Sequence, residues 1–167
     1  SIHVTGCPSL DIVGEAMSLP LSEVQSAVDE QGVGAQVSLS APYVVVLQHP
    51  ETDSHSESYE RMRSTLLALE GIGLPALIFW PNVDAGSDST SKAIRVVRES
   101  GMLRNARYNK NLDGRVFLKL LKHSSCLLGN SSVGIRECSL MGVPVVNLGD
   151  RQAGRARGKN VVDAYWA

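Results

Sequence analysis

The sequence predicts an α/β fold: a three-layer, Rossmann-like domain in which helices cover both faces of a parallel sheet. Short apolar runs alternate with segments of helical periodicity along most of the chain. The run Tyr43-Val44-Val45-Val46-Leu47 is continuously apolar, as is typical of a strand buried on both faces. The connections between runs are short, which favours right-handed β-α-β units and a parallel sheet.

The individual strands and helices follow from apolar periodicity and from the residues that interrupt it. Residues 43–47 are predicted to form the central strand, which ends at Gln48-His49-Pro50 because proline cannot continue a hydrogen-bonded ladder. The amphipathic segment 57–70 follows and is predicted to end at two glycines. The same reasoning predicts further strands at 76–80, 106–108, 126–129 and 143–148, and helices at 89–100, from the cap Asp113 to His123, and at 132–141.

Residues 1–40 have a different character. Two short helices are predicted at 9–17 and 21–30, separated by Pro20, and residues 32–41 are small and polar, which indicates a loop.

Composition limits the classes of function. With 167 residues, 43% of them hydrophobic, the chain can form one domain with a substantial core. Its net charge of −1 argues against a nucleic-acid partner, and no apolar run is long enough to cross a membrane. The three cysteines are widely spaced and metal-ligand spacing is absent, so we predict no metal site and a reducing, cytoplasmic environment.

The segment Gly129-Asn130-Ser131-Ser132 lies between a predicted strand and a predicted helix. Two hydroxyls and the unpaired N–H groups of a first helical turn would point at one spot, where the helix dipole favours an anion. Glu137 follows five residues after Ser132. A carboxylate repels phosphate but accepts hydrogen bonds from sugar hydroxyls, so the pair predicts a nucleotide site. The alternative is that Ser131 or Ser132 is an ordinary N-cap and Glu137 a solvated surface residue.

Ligands of parallel sheets bind beyond the carboxyl ends of the strands. That rule selects five polar loops: His49-Pro50, residues 82–87, Asn111-Leu112, residues 130–132 and residues 149–151.

Five motifs occur in order along the chain: Val4-Thr5-Gly6-Cys7-Pro8-Ser9, Leu47-Gln48-His49-Pro50, Trp80-Pro81-Asn82-Val83-Asp84-Ala85-Gly86, Gly129-Asn130-Ser131-Ser132-Val133-Gly134-Ile135-Arg136-Glu137, and Gly142-Val143-Pro144-Val145-Val146-Asn147-Leu148-Gly149-Asp150-Arg151-Gln152. Together they resemble the carboxyl-terminal domain of the UDP-N-acetylglucosamine 2-epimerases, in particular the hydrolysing branch that feeds sialic-acid synthesis. The resemblance implies the carboxyl-terminal half of a glycosyltransferase-B-like (GT-B-like) fold. Residues 1–40 would be the interdomain crossover with its leading helices, residues 41–167 the nucleotide-binding domain, and the amino-terminal domain would be absent from the chain.

The resemblance also implies roles for seven residues. Ser131 and Ser132 would bind the diphosphate and Glu137 the ribose hydroxyls, in agreement with the argument from the residues. His49 would lie by the diphosphate and sugar and assist departure of the leaving group, as a positive charge there can do. The UDP site would be completed by Asn82, by Arg151, and by the backbone near Leu112, which would meet the uracil. From the residues alone, the preferred interpretation of His49 is a solvent-exposed strand end.

The implied reaction removes the C2 proton of UDP-N-acetylglucosamine, expels UDP to give a glycal, and adds water to leave N-acetylmannosamine. It needs no metal or redox cofactor. Its acids and bases would be carboxylates of the amino-terminal domain, so we expect this chain alone to bind UDP weakly and to be inactive. The resemblance further implies a homo-oligomer. Asp84 is expected to shape a turn and not to catalyse.

One departure from the family concerns regulation. Animal relatives carry a lysine after Asp-Ala-Gly-Ser that helps to bind a sialyl nucleotide, and Asp88 occupies that position here. Feedback by such an anion is therefore not expected at this spot. Two other functions stay open: a GT-B glycosyltransferase that uses a UDP-sugar, and a non-catalytic nucleotide-binding module.

Overall fold

The fold is a single mixed sheet between two layers of helices, which confirms the predicted three-layer α/β class. The computed structural model describes residue 3 and residues 6–51, 56–82 and 86–166. Asp84, His55 and the Val4-Thr5 pair of the first motif lie outside the described residues. The strands are β1 (Gly32–Gly34), β2 (Val44–Leu47), β3 (Ala76–Phe79), β4 (Ala106–Asn109), β5 (Cys126–Gly129), β6 (Val145–Leu148) and β7 (Val161–Ala164). The α-helices are α1 (Asp11–Met17), α2 (Leu21–Gln31), α3 (Ser58–Ile72), α4 (Ser87–Glu99), α5 (Gly114–His123) and α6 (Glu137–Met141).

The strand order across the sheet is β1-β4-β3-β2-β5-β6-β7, so β2 is central, as predicted. Strands β2 to β7 are mutually parallel, and β1 alone pairs antiparallel, with β4. In register, Leu47 pairs with Gly129 and Gly129 with Asn147, while Phe79 pairs with Asn109. The carboxyl ends of these strands therefore lie along one edge of the sheet, which confirms the predicted common edge for the loops that follow β2 to β6.

The sheet has seven strands among the described residues, whereas the sequence pattern predicted fewer. The predicted loop 32–41 begins with strand β1, because the buried guanidinium of Arg107 in β4 holds this segment in place. Arg107 donates hydrogen bonds to the carbonyls of Val28, Asp29, Gly32 and Ala35, so it joins the end of α2 to β1. At the other edge of the sheet, β7 follows the basic segment 155–159, and its sequence has no apolar run that predicts a strand.

Helices cover both faces of the sheet, and β2 contributes side chains to both. Val45 packs in the core formed with α1, α2 and α5, whereas Val44 and Val46 pack in the core formed with α3 and α4. The two predicted leading helices are present, and α1 packs against α5. They thus share a core with the sheet, and the division at residue 40 stays a prediction.

The predicted helix 132–141 is not continuous. A 3₁₀ turn occupies Ser132–Gly134, and the α-helix begins only at Glu137, after Arg136 adopts φ −105° and ψ −81°. Gly134 packs so tightly on Val145 of β6 that an added Cβ would lie 2.9 Å from its side chain. The dipole of a ten-residue helix, on which the sequence argument for an anion relied, is therefore not available here.

Asp113 caps α5 as predicted: its Oδ1 accepts a hydrogen bond from the Arg115 N–H at 3.0 Å. This bond holds the pKa of the Asp113 carboxyl below its ordinary value. Because the folded-state pKa is the lower one, the cap stabilises above the unfolded value of about 3.9 and loses its effect as the pH falls through the folded value.

We expect Asp113→Ala to lower the melting temperature by a few degrees at neutral pH. The difference from the wild type should shrink as the pH falls from ~3.9 through the lower pKa of the folded state, where the wild-type carboxyl becomes protonated. Asp113→Asn is the matched control, since asparagine caps equally well and does not titrate. Thermal unfolding followed by circular dichroism across pH would contradict this account if Asp113→Asn were as unstable as Asp113→Ala.

Candidate functional site

The site begins where β2 and β5 end side by side. Gly129, the last residue of β5, has φ +145°, and a Cβ there would collide with the Leu47 carbonyl. Only glycine allows this approach. The backbone N–H of Asn130 then donates to the Leu47 carbonyl at 3.3 Å, so the loops after β2 and β5 start in contact.

Asn130 and His49 are joined by two hydrogen bonds. The His49 N–H donates to Asn130 Oδ1 at 2.7 Å, and Asn130 Nδ2 donates to the His49 carbonyl at 2.9 Å. His49 is 5% exposed and Asn130 fully buried. His49 is thus not the solvent-exposed strand end that the sequence left open.

The loop after β6 meets the same residue from the other side. The Asn130 carbonyl accepts hydrogen bonds from Gln152 Nε2 at 2.8 Å and from Arg151 Nη1 at 3.3 Å. Gln152 is 1% exposed, whereas Arg151 is exposed. Asn130 therefore contacts both the His49 backbone and a planar guanidinium that has donors to spare.

The Glu51 carboxylate binds the backbone of the loop that carries Arg151. Glu51 Oε1 accepts the backbone N–H groups of Asp150 at 3.0 Å and Arg151 at 3.2 Å, while Glu51 Oε2 pairs with Arg61. The Arg61 guanidinium also lies 4.8 Å from the Trp166 ring centroid. These contacts hold the backbone of residues 150–151 in a fixed position.

Ser131 occupies the N-cap position of the 3₁₀ turn, yet its side chain makes no capping hydrogen bond within the described residues. The interpretation of Ser131 as an ordinary N-cap is therefore wrong. Ser131 and Ser132 are both partly exposed directly after Asn130. Both serines directly follow the residue that contacts His49 and Arg151, so they are candidates to contact a ligand there.

Glu137 is a buried carboxylate at the first residue of α6. It is 5% exposed, so the alternative of a solvated surface residue is wrong. Its Oε1 lies 3.4 Å from Arg136 Nη2, whereas its buried Oε2 accepts no hydrogen bond within the described part of the chain. Buried polar atoms are nearly always paired, so this unpaired oxygen makes Glu137 a candidate ligand contact.

A pocket of about 230 Å³ opens at the carboxyl ends of β2, β3 and β4. It brings together Asn82 and Leu112, which the sequence had assigned to one site, and adds Lys110. Phe79 and Phe117 pack edge to face in its wall, with ring centroids 5.0 Å apart. The Leu112 N–H donates to Asn111 Oδ1 at 3.0 Å, so this N–H is already paired.

Residues 1–165 match the UDP-N-acetylglucosamine 2-epimerase family. The chain belongs to this family. It is 29% identical over 161 residues to the UDP-N-acetylglucosamine 2-epimerase of Neisseria meningitidis serogroup B, which covers 96% of the chain and 40% of that protein. The chain thus spans well under half the length of this relative.

Two further relatives cover similar shares. The Escherichia coli polysialic acid biosynthesis protein P7 is 33% identical over 150 residues, which cover 89% of the chain and 36% of that protein. A hydrolysing GDP/UDP-N,N'-diacetylbacillosamine 2-epimerase of Campylobacter jejuni is 28% identical over 132 residues, covering 77% and 34%.

Solved structures share the fold at low sequence identity. The E. coli heptosyltransferase WaaC, solved with ADP-2-deoxy-2-fluoro heptose, matches with a TM-score of 0.55 and 14% identity over 77% of this chain and 38% of that one. Its structure with ADP matches equally well over 85% and 42%. These likenesses support the predicted GT-B-like half and carry no argument about substrate.

In this epimerase-family domain, the structure brings the predicted site residues together in two groups. His49 and Arg151 meet through Asn130, with Ser131 and Ser132 following directly, whereas Asn82 and Leu112 line the pocket. Leu47, which also lines the pocket, precedes His49 by two residues. Sequence reasoning gave no role to Asn130, Glu51, Gln152 or Lys110. Asn130 and Gln152 do occur within the quoted motifs, and Glu51 directly follows Pro50.

The other His, Cys, Asp and Glu side chains of the described residues bear on two further kinds of site, a metal site and a reactive thiol. No three His, Cys, Asp or Glu side chains cluster as metal ligands do within the described ranges. Burial raises the pKa of the Cys138 thiol to about 12, which keeps it protonated. In the part of the chain that the structure describes, no helix has the length and apolar character needed to cross a bilayer.

Proposed function

We propose that this chain is the UDP-binding domain of a hydrolysing UDP-N-acetylglucosamine 2-epimerase, which converts its substrate to N-acetylmannosamine and UDP. The observation that carries the proposal is Glu137: a buried carboxylate with one unpaired oxygen, five residues after Ser132, in a segment where the Asn130 carbonyl accepts a hydrogen bond from the Arg151 guanidinium. A nucleotide supplies both partners, because its ribose diol donates hydrogen bonds and its diphosphate accepts them.

The nucleotide is proposed to lie along the carboxyl edge of the sheet. The uracil would enter the pocket of Asn82 and Leu112, where the Leu112 carbonyl can accept the N3–H of the base. The ribose hydroxyls would donate to Glu137. Ser131, Ser132 and Arg151 would hold the diphosphate, with the charge coming from Arg151 and not from a long helix.

His49 is proposed to act at the bond between the sugar and the diphosphate. In the first stage a base takes the C2 proton, the electrons of that C–H bond form the C1–C2 double bond, and the C1–O bond breaks with its pair going to UDP. Protonated His49 and Arg151 would stabilise the growing negative charge on the leaving diphosphate. In the second stage water adds across the double bond, with a proton to C2 and hydroxide to C1.

The bases that handle the C2 proton and the water are proposed to be carboxylates outside this chain, in the rest of a full-length epimerase. Glu51, which follows His49 by two residues, already has another role, since it accepts two backbone N–H groups and pairs with Arg61. The 167-residue chain alone is therefore expected to bind UDP and to release no sugar. A homo-oligomer remains part of this proposal for the full-length protein.

The hydrolysing reaction is favoured over the non-hydrolysing one by the relatives. The Campylobacter relative is named as hydrolysing, and the E. coli relative is named for polysialic acid biosynthesis. The acetamido sugar is proposed to be N-acetylglucosamine, after the name of the family and of the Neisseria relative.

Calorimetry on the 167-residue chain tests the nucleotide site directly. We expect saturable binding of UDP, weaker binding of uridine, which lacks the phosphates that Arg151 would hold, and weaker binding of ADP, whose adenine has no N–H at the position of uracil N3 to donate to the Leu112 carbonyl. Absence of saturation by millimolar UDP would contradict the proposal. Equal affinity for UDP and uridine would show that the site does not bind the diphosphate.

A further inference from the structure

Asn130 has the contacts of a residue that positions other groups. We infer that Asn130 sets the positions of His49 and Arg151 relative to each other, so that both act on one diphosphate. Its side chain is fully buried, so it would act through these two residues and not on substrate. The inference rests on the proposed function for its kinetic consequence, but its structural content does not.

The Asn130 side chain continues the sheet by one residue. The backbone ladder between β2 and β5 reaches Leu47 and Gly129, and Pro50 has no N–H with which to extend it. The Asn130 amide presents one acceptor and one donor in a plane, as a peptide group does, and pairs with the N–H and carbonyl of His49. The direction of this amide follows from its partners, because the His49 N–H can only donate and its carbonyl can only accept.

The main chain of Asn130 contacts the loop that carries Arg151. Its carbonyl accepts from Arg151 Nη1 and Gln152 Nε2, both of which come from the loop after β6. One residue therefore fixes the backbone that carries the imidazole and one nitrogen of the guanidinium. A shift of Asn130 would move the imidazole and the guanidinium relative to the substrate, and displacements of about 1 Å at a reacting centre can lower rates by about a hundredfold.

Asn109 provides a matched comparison. It is also fully buried, it is the last residue of β4 whereas Asn130 directly follows β5, and its Nδ2 donates to a backbone carbonyl, that of Val28, at 3.2 Å. Its partner belongs to α2, whereas His49 follows β2. The change Asn109→Asp therefore repeats the chemistry of Asn130→Asp, loss of a buried donor and gain of a charge, without altering the contacts of His49.

The first experiment uses the 167-residue chain and needs no activity. Asn130→Asp keeps the acceptor for the His49 N–H but places an oxygen against the His49 carbonyl, where a donor stood at 2.9 Å. We expect the imidazole cross-peaks of His49, observed by NMR in histidine-labelled protein and assigned with His49→Gln, to shift or broaden in Asn130→Asp. They should keep their positions in Asn109→Asp, and those of His123 should keep theirs in both variants.

Unchanged His49 cross-peaks in a folded Asn130→Asp would overturn the inference, as would equal changes in Asn109→Asp. If Asn130→Asp does not fold, Asn130→Ser replaces it, because serine removes the paired amide without adding charge. The same outcomes then apply to Asn130→Ser.

The second experiment uses the full-length epimerase. We expect Asn130→Asp to lower kcat by about tenfold or more with KM changed less than about threefold, and Asn109→Asp to keep kcat within about twofold. Equal losses of kcat in both variants would make Asn130 merely structural. A wild-type protein without epimerase activity would refute the proposed function, while the NMR comparison would still decide whether Asn130 positions His49.

Discussion

Replacement of His49 by alanine in the full-length epimerase is expected to lower kcat by at least about a hundredfold, the range known for loss of one electrostatic stabiliser. His49 follows the central strand β2, and its neighbour across the sheet edge carries the contact to Arg151. Protonated there, the imidazole would stabilise charge that appears only as UDP departs. Such stabilisation lowers kcat and kcat/KM together.

The design of this variant benefits from the backbone contacts. Both hydrogen bonds between His49 and Asn130 use the His49 main chain, so alanine keeps them and the change reports on the imidazole alone. UDP affinity should fall less than kcat. His123→Ala, at an exposed histidine that ends α5, is the control and should keep kcat near the wild-type value. A His49→Ala enzyme with near-normal kcat and only a raised KM would reduce His49 to a binding residue.

Glu137→Ala is expected to weaken UDP binding by tenfold or more, because a buried hydrogen bond to a charged group contributes roughly 1.5–3 kcal/mol. The unpaired Oε2 of Glu137 is the acceptor that the ribose diol would use. The variant should therefore weaken UDP much more than the 2′-deoxy analogue, which has already lost one of the two hydroxyls. Calorimetry with both nucleotides measures the difference.

The control for Glu137 is Glu99→Ala, an exposed carboxylate at the end of α4, which should leave both affinities unchanged. Equal effects of Glu137→Ala on the two nucleotides would mark Glu137 as a structural residue. A circular dichroism spectrum of Glu137→Ala would show whether α6, which begins at this residue, is still formed.

The parts of the fold that sequence reasoning predicted are those with a strong local pattern. The buried strand β2 reads as an unbroken apolar run, and α5 has both a cap and an apolar face. Strands β1 and β7 lie at the two edges, have no fully buried side chain, and β1 depends on Arg107, more than 70 residues away. Nothing in their local sequence carries that information. The break at Arg136 likewise depends on how closely Gly134 approaches β6.

The candidate site also has a part that the sequence predicts and a part that it does not. His49 and Arg151 could be placed at one edge because the carboxyl ends of parallel strands share an edge. His49 and Asn130, which are joined by hydrogen bonds, lie 81 residues apart in the sequence, and Glu51 lies 100 residues from Arg151, whose N–H it accepts. Contacts of this length follow from the register of β2, β5 and β6, so they become visible only with the fold.

The most direct test of the central claim is product analysis after incubation of the full-length protein with UDP-N-acetylglucosamine in D₂O, with no acceptor added. The proposed elimination and hydration predicts UDP and free N-acetylmannosamine that carries deuterium at C2, identified by mass spectrometry and NMR. Formation of UDP-N-acetylmannosamine would show a non-hydrolysing epimerase. If the substrate stays unchanged in this incubation and is consumed only after an acceptor is added, the protein is a glycosyltransferase and the account is contradicted.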